Sequence, residues 1–281
     1  MSNAERDLRR RAEATLDRYH GLSGTASDRP LGRFLVEPSR PQVWDANHVR
    51  RARAVTDAEI DALLAVMDDV YAGMAHRRVV VDLDTPDALE ARLALDGWTL
   101  DSTLQHVLTG PLRLDRVGHR GPPGLDIRAA LDEDDWAAMG HLTRLDHLEQ
   151  STRDGHEDRS ADLTRDMVEH RRAKAPTVQA WLARVRGQDV GMFSSMPTPG
   201  GGSGRVGLVE HLFVQPRWRG QGISVALIER CVADVRRRGG DQVIIGSDPT
   251  DWPKGLYTRL GFRPAWLERA WIRHLRPDEI T

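Results

Sequence analysis

Residues 206–222 read VGLVEHLFVQPRWRGQG, and this stretch decides the fold. Its first nine residues alternate in side-chain character, which predicts a β-strand over 206–214. Apolar side chains then recur at helical spacing over 223–238, and a glycine pair directly after residue 238 ends the pattern, so this segment is predicted to be a helix. The order is therefore strand, glycine-rich loop, helix.

The loop between this strand and this helix has the composition of an anion-binding site. The first turn of a helix has N–H groups without intrahelical partners, and the helix dipole places partial positive charge there. Gly220 and Gly222 let the backbone approach an anion closely, and Arg217 and Arg219 can add charge-assisted hydrogen bonds. The spacing is neither that of a P-loop nor that of GxGxxG, because Val225 stands where the latter requires its third glycine.

A second informative segment, residues 256–262, reads LYTRLGF. Together with the loop Arg217-x-x-Gly220-x-Gly222, it resembles the GNAT superfamily of N-acyltransferases. The loop is similar to that superfamily's acyl-CoA pyrophosphate motif, and the later segment is similar to its C-terminal helix–strand signature. The resemblance covers about 125–275 and departs at Ser224, where a third glycine is frequent.

The resemblance implies a fold and a reaction. The fold is the GNAT fold, an α/β (α+β) architecture with a mixed central sheet flanked by helices. The reaction is direct transfer of an acetyl group from acetyl-CoA to a primary amine of a small molecule or peptide, without a metal. Most of the acceleration is expected from positioning and from backbone donors that polarise the thioester carbonyl. The alternative is a CoA-binding regulatory module without turnover.

The resemblance also assigns residues to the co-substrate. The strand backbone of Leu212, Phe213 and Val214 is expected to pair with the pantetheine arm. The side chain of Arg217 is expected near the pyrophosphate. The backbone N–H groups expected to hold the pyrophosphate are those of Arg219, Gly220, Gln221, Gly222 and Ser224. Trp218, beside the loop, either stacks on the adenine or covers the start of the helix.

Two proton transfers need side chains. An amine with a pKa near ~10 is mostly protonated at neutral pH, so a base must accept its proton. Glu210 shares its strand face with Leu208 and Leu212 and is similar in position to carboxylates assigned as bases in the superfamily; the alternatives are a carboxylate that binds a cationic substrate or a base that acts through water. His211, predicted on the other strand face, is the fallback base. Tyr257 matches the superfamily's tyrosine and is expected to protonate the departing CoA thiolate, the alternative being a packing role.

The first half of the chain predicts a second, weaker version of the same organisation. Residues 77–108 read as strand, helix and strand, but no tyrosine stands at the corresponding place, and no Arg-x-x-Gly-x-Gly occurs before residue 200. The expected domains are an N-terminal helix (1–24), a degenerate GNAT-like domain that binds no CoA (25–112), a linker (113–124) and a catalytic domain (125–281). An unrelated α/β cap is the alternative for the first domain, and either is expected to shape the acceptor site.

Periodicity and capping residues predict the remaining elements. The predicted helices cover 4–20, 56–71, 85–95, 161–172 and a segment that starts near 132–135. The predicted strands cover 33–37, 79–83, 104–108, 125–128, 179–186, 190–195 and 242–246. Residues 198–204 are predicted to form a hairpin loop.

Composition limits the class of protein. The 281 residues include 40 basic and 42 acidic side chains, a net charge of −2, which excludes a long basic arm, so no nucleic-acid partner is expected. No stretch approaches the ~18 uninterrupted apolar residues of a spanning helix, and no secretory leader is seen, so no membrane partner and a cytoplasmic location are expected. The single cysteine, Cys231, excludes an internal disulfide framework. Composition leaves the oligomeric state open between monomer and homodimer.

Overall fold

The computed structural model describes residues 1–118, 120–155, 159–197, 205–250, 253–276 and 278. The predicted hairpin loop at 198–204 lies outside these residues. The helices are α1 Asn3–His20, α2 Asp57–Val70, α3 Asp87–Leu95, α4 Glu133–Asp154, α5 Ala161–Arg172, α6 Ile223–Arg237 and α7 Pro253–Arg259. The strands are β1 Thr25–Arg29, β2 Gly32–Val36, β3 His48–Arg50, β4 His76–Val81, β5 Thr99–Leu108, β6 Leu125–Ala129, β7 Gln179–Val185, β8 Gln188–Met196, β9 Val206–Val214, β10 Gln242–Ser247 and β11 Arg263–His274.

These elements confirm the predicted helices and strands to within a few residues, with one larger difference in β5. β1 and β3 were not predicted, and β1 lies in the stretch 21–30, whose glycine and polar residues predict a loop. β5 begins at Thr99 rather than at the predicted Leu104, because exposed polar residues precede its buried half and hide the alternation. The predicted mixed sheet with flanking helices is also confirmed. None of the helices in the described ranges is long and apolar enough to cross a membrane.

The chain forms two compact units, residues 1–104 with 266–281 and residues 105–265. This division differs from the predicted domains, because the predicted linker at 113–124 lies inside the second unit and the last residues lie in the first. The physical reason is strand pairing: β11 pairs antiparallel with β4, from Arg269 opposite Val81 to His274 opposite His76. The independence of the predicted domains stays a prediction.

In the first unit, the strand order is β1-β2-β3-β4-β11, followed by residues 99–104 of β5. β1, β2 and β3 are antiparallel neighbours, and β3 runs parallel to β4 with Val49 opposite Val79. The apolar faces of α2 and α3 pack on these strands. The core residues they bury include Phe34, Val49, Leu63, Met67, Val79, Leu89 and Leu93.

In the second unit, residues 105–108 of β5 are followed by β10-β9-β8-β7-β6. β9 and β10 are parallel, whereas β6, β7, β8 and β9 are antiparallel neighbours. α6 and α7 share one core cluster with the sheet, and α4 shares another. A Cβ at Gly207 of β9 would lie 2.2 Å from Val235 Cγ1 of α6, so this glycine lets the helix pack closely on the strand.

Candidate active site

The parallel pair β9 and β10 separates halfway along its length. Their register runs from Val206 opposite Gln242 to Val209 opposite Ile245. Beyond Val209, β9 continues to Val214 with only β8 as a ladder partner among the described residues. The other edge of β9 therefore carries backbone N–H and C=O groups that a bound molecule can pair with. This edge includes the stretch predicted to hold the pantetheine arm.

A β-bulge lies in the separated part of β9. Ser194 of β8 pairs with Glu210 and Met192 pairs with Phe213, so one residue of β8 opposes two residues of β9. His211 has a φ of 64°, a left-handed conformation that residues with a Cβ rarely adopt. The bulge breaks the strict alternation that the sequence analysis assumed.

Two predicted orientations are wrong because of this bulge. Val214 was expected on the opposite face from Val209, but the two side chains pack in the same core cluster. His211 was expected on the opposite face from Glu210, but its Nε2 lies 3.4 Å from Glu210 Oε2. Both side chains are about one-fifth exposed, at 22% and 21%. The predicted base and the fallback base are therefore neighbours.

An arginine from α5 completes this group. Arg171 donates a hydrogen bond from Nη2 to His211 Nδ1 at 3.3 Å and another from Nη1 to Thr143 Oγ1 at 2.9 Å. Thr143 lies on α4 and is fully buried. Arg171 was not predicted, because α5 carries several arginines and only the tertiary fold shows which of them faces β9.

The loop after β9 leaves a row of backbone donors open. A 3₁₀ turn at Pro216–Trp218 leads to Gly220 and Gly222, whose φ values are 75° and 83°. Gly222 is the N-cap of α6, and no side chain caps the helix. Within the described chain, the N–H groups from Gly220 to Val225 have no hydrogen-bond partner. A Cβ at Gly220 would meet no atom within 4 Å, so the space in front of this row is open.

The two arginines of the loop differ in what they contact. Arg219 donates from Nε to the Val214 carbonyl at 2.9 Å, and its two Nη atoms bind the Glu149 carboxylate of α4 at 2.6 and 2.8 Å. Its backbone N–H donates to the Pro216 carbonyl at 3.1 Å, so this amide does not belong to the open row, contrary to expectation. Arg217 is exposed and donates only from Nε, to Gln215 Oε1 at 3.1 Å. Arg217 is the loop arginine available to an anion.

Trp218 packs against the core cluster beneath α6, so it covers the start of the helix. Its indole Nε1 is buried and has no hydrogen-bond partner in the described chain. This packing is one of the two roles that the sequence left open, and stacking on an adenine stays a prediction.

Tyr257 of α7 is buried in the core of the second unit, with 4% of its surface exposed. Its ring meets the ring of His106 edge-on, with centroids 5.5 Å apart. His106 Nε2 lies 3.0 Å from Ser247 Oγ, at the end of β10, while burial lowers the pKa of His106 and leaves Nδ1 without a partner in the described chain. His106 stands 141 positions before Ser247, so no local pattern indicates this group.

The structure thus brings Glu210, His211 and Arg171 together on one side of the separated strands, and it leaves the amides of the loop open. Tyr257 lies in the core cluster beneath the sheet, and its role as a proton donor stays a prediction. Among the described residues, no group of His, Cys, Asp or Glu side chains has the arrangement of a metal site.

Comparison with known proteins agrees with this architecture. Residues 176–264 match the family model of the acetyltransferase (GNAT) domain. The comparison with curated proteins gives no match. The matched segment contains β9, the loop, α6 and α7, whereas Thr143, Arg171, Glu149 and His106 lie outside it.

Solved structures extend the similarity of fold to nearly the whole chain. A functionally unknown conserved protein from Staphylococcus epidermidis is 14% identical over 91% of this chain and 96% of its own, with a TM-score of 0.66. A GCN5-related N-acetyltransferase from Kribbella flavida is 17% identical over 97% and 95%, with a TM-score of 0.59. A tandem GNAT protein from the clavulanic acid biosynthesis pathway is 17% identical over 97% and 94%, with a TM-score of 0.58. At these identities the similarity shows the fold, and it confirms the predicted tandem GNAT resemblance.

Proposed function

We propose that this protein is an acetyl-CoA-dependent N-acetyltransferase that transfers an acetyl group to a primary amine of a small molecule or a peptide. The observation that carries the proposal is the open row of N–H groups from Gly220 to Val225, which follows the part of β9 beyond its pairing with β10. A diphosphate with an extended arm is the ligand class that fits a helix N-terminus followed by an unpaired strand edge.

The residues present fit acetyl-CoA. The amides of Gly220, Gln221, Gly222 and Ser224 would hold the pyrophosphate, and Arg217 would add a charged contact. The backbone of Leu212, Phe213 and Val214 would pair with the pantetheine arm. Positive φ at two glycines and open space at the first of them allow a phosphate to approach the backbone. Arg219 instead fixes the loop to α4 through Glu149.

The chemistry supplied by the bound co-substrate is an activated acetyl thioester. As the new N–C bond forms and the C–S bond breaks, Glu210 accepts the amine proton and Tyr257 gives a proton to the departing sulfur. Glu210 is one-fifth exposed, so an amine can reach it from solvent. Backbone donors of the separated part of β9 would polarise the thioester carbonyl.

Isothermal titration with acetyl-CoA tests the binding step. We expect saturable heat with a stoichiometry of one, and competition by CoA. An absence of binding at millimolar acetyl-CoA would remove the proposal, because the open amides and the free strand edge would then have no role in holding the co-substrate.

Thiol release from acetyl-CoA tests the transfer step. The assay uses a panel of primary amines (diamines, aminoglycosides, amino sugars and short peptides), with mass spectrometry to identify an acetylated product. We expect release above the rate of hydrolysis for at least one class of amine. Binding without release for every class would favour the regulatory module.

A further inference from the structure

The backbone conformation of His211 calls for an explanation. Left-handed backbone at a residue with a Cβ costs on the order of 1 kcal/mol and persists where the surroundings fix it. Here the bulge opposite Phe193 of β8 and the contacts of the imidazole with Glu210 and Arg171 fix it. The strained residue is the one that brings the imidazole beside the proposed base.

The contact with Arg171 determines where the imidazole proton lies. A guanidinium group only donates hydrogen bonds, so His211 Nδ1 must accept from Arg171 Nη2. A neutral imidazole that accepts at Nδ1 carries its proton on Nε2. Nε2 is the atom 3.4 Å from Glu210 Oε2, so an N–H group faces the carboxylate.

Arg171 is itself held in place. Its Nη1 donates to the fully buried Thr143 hydroxyl on α4, so α4 and α5 together fix the guanidinium. Asp146, one turn further along α4, interacts with Arg171 electrostatically, and burial raises the pKa of this carboxyl. The hydroxyl of Thr143 and the carboxyl of Asp146 therefore hold the Arg171 guanidinium beside the imidazole.

We propose that His211 and Arg171 are positioning residues for Glu210, with Arg171 fixing the Nε2–H tautomer of His211 and this N–H orienting the Glu210 carboxylate toward the amine. This inference rests on the proposed function, in which Glu210 is the base. During transfer, the amine proton passes to Glu210, while His211 keeps its Nε2 proton and Arg171 stays charged. Arg171 lies outside the segment that matches the family model.

The tautomer can be measured without any amine substrate. In long-range ¹H–¹⁵N spectra of histidine-labelled protein saturated with CoA, we expect His211 as the Nε2–H tautomer, assigned by the loss of its signals in His211→Asn. Arg171→Met should give a mixture of tautomers. Arg165→Met is the matched control, because Arg165 is exposed on the same helix and pairs with Asp162. An Nδ1–H tautomer in the wild type, or no change in Arg171→Met, would overturn the inference.

Kinetics with the best amine of the panel test the positioning role. His211→Asn keeps a side chain that tolerates left-handed backbone, and His211→Gly keeps the backbone without a side chain. We expect His211→Gly and Arg171→Met to lower kcat about tenfold to hundredfold, with an unchanged KM for acetyl-CoA and a smaller loss in His211→Asn, whose amide can donate to the carboxylate.

Non-additivity separates positioning from a general structural effect. Since the imidazole acts through Glu210, the double variant Glu210→Gln with His211→Gly should be no slower than Glu210→Gln alone. If the double variant instead lost activity by the product of the two single losses, the inference would be contradicted. Full activity in Arg171→Met would contradict it as well. A wild type that binds acetyl-CoA but acetylates no amine would instead contradict the proposed function, and the tautomer measurement would still decide whether Arg171 fixes the Nε2–H tautomer of His211.

Discussion

Each unit contains a parallel strand pair whose first strand leads into a helix, yet the two helices begin differently. In the first unit, β3 leads into α2, where Thr56 Oγ1 accepts the N–H of Glu59, and the Glu59 carboxylate accepts the N–H groups of Val55 and Thr56 at 2.9 Å. In the second unit, β9 leads into α6, whose N-cap is Gly222 and whose first amides have no partner in the described chain. In α2, the chain's own carboxylate satisfies N–H groups whose counterparts in α6 have no partner in the described chain.

The helices that follow, α3 and α7, share the backbone geometry of their C-terminal ends. α3 and α7 both end at a glycine with positive φ, Gly97 and Gly261. Trp98 N–H donates to the Leu93 carbonyl at 3.0 Å, and Phe262 N–H donates to the Tyr257 carbonyl at 3.0 Å. Leucine thus stands in the first unit where tyrosine stands in the second. The two units thus keep a similar backbone geometry at these places, while the helix cap and the residue at the tyrosine position differ.

The largest effect is expected from blocking the N-terminus of α6, where the first amides have no partner in the described chain. Gly220→Asp places a negative side chain in the open space before the amides of α6, so the affinity for acetyl-CoA should fall at least 100-fold, about 2.7 kcal/mol. Gly220→Asn is the matched control, because it has the same size, tolerates positive φ and carries no charge. Titration calorimetry measures both, and equal affinities in the two variants would show that repulsion by charge plays no part.

Acidification should destabilise the first unit through two buried histidines. Burial lowers the pKa of His76 to about 4 and lowers that of His48, whereas both have values near ~6.5 when unfolded. The unfolded chain therefore binds more protons below pH ~6.5, and this stability is complete above that pH and is lost as the pH falls toward ~4.

Urea unfolding at about pH 7.5 and about pH 4.5 measures this loss, which for His76 amounts to about 2 kcal/mol. His76→Gln keeps a donor for the Asn47 carbonyl and should remove that part of the pH dependence. His141→Gln, at an exposed position of α4, is the control and should leave it unchanged. An undiminished pH dependence in His76→Gln would mean that other groups cause the acid sensitivity.

The two loop arginines should separate binding from stability. Arg217→Gln should weaken acetyl-CoA binding about tenfold without a change in Tm, because within the described ranges its side chain hydrogen-bonds only to Gln215. Arg219→Gln should lower Tm, because it removes the paired contacts with Glu149 and the bond to the Val214 carbonyl. Calorimetric titration and thermal unfolding of both variants check this, and a reversed pattern would exchange the two roles.

The smallest effect concerns the N-terminus of α2, which Thr56 and Glu59 cap. Thr56→Ala removes a side-chain cap and should lower the free energy of unfolding by about 1 kcal/mol without creating a second site for acetyl-CoA. Ser224→Ala, in the first turn of α6, removes no cap and should leave stability unchanged. Urea unfolding compares the two, and equal losses would contradict the difference between the helix starts.

Features that depend on neighbouring residues could be predicted from the sequence. The capping box at Thr56, the apolar stripe of α6 and the glycine loop before it all follow from spacing along the chain, and the structure has them where expected. The resemblance to the superfamily named the candidate amides, and all of them except that of Arg219 lie in the open row, where a glycine N-cap leaves them without a side-chain partner.

Features that depend on a distant partner could not be predicted. The His211 side chain lies beside Glu210 because of the bulge against β8. Strict alternation along β9 would place the two side chains on opposite faces of the strand. The use of Arg219 as a structural contact depends on Glu149, 70 positions earlier. Such pairs leave no periodic signal, because the residues meet only after the strands and helices have packed.

The close packing at Gly207 limits which amino-acid substitutions the protein tolerates at this position. Any side chain there would push against Val235, a residue whose branched side chain has little freedom to move, and would shift α6 relative to β9. The amides at the other end of α6 would then lose their alignment with the strand edge. A position that touches no ligand should consequently tolerate substitution as poorly as the loop itself, and a survey of random variants selected for acetyl-CoA binding should retain glycine there.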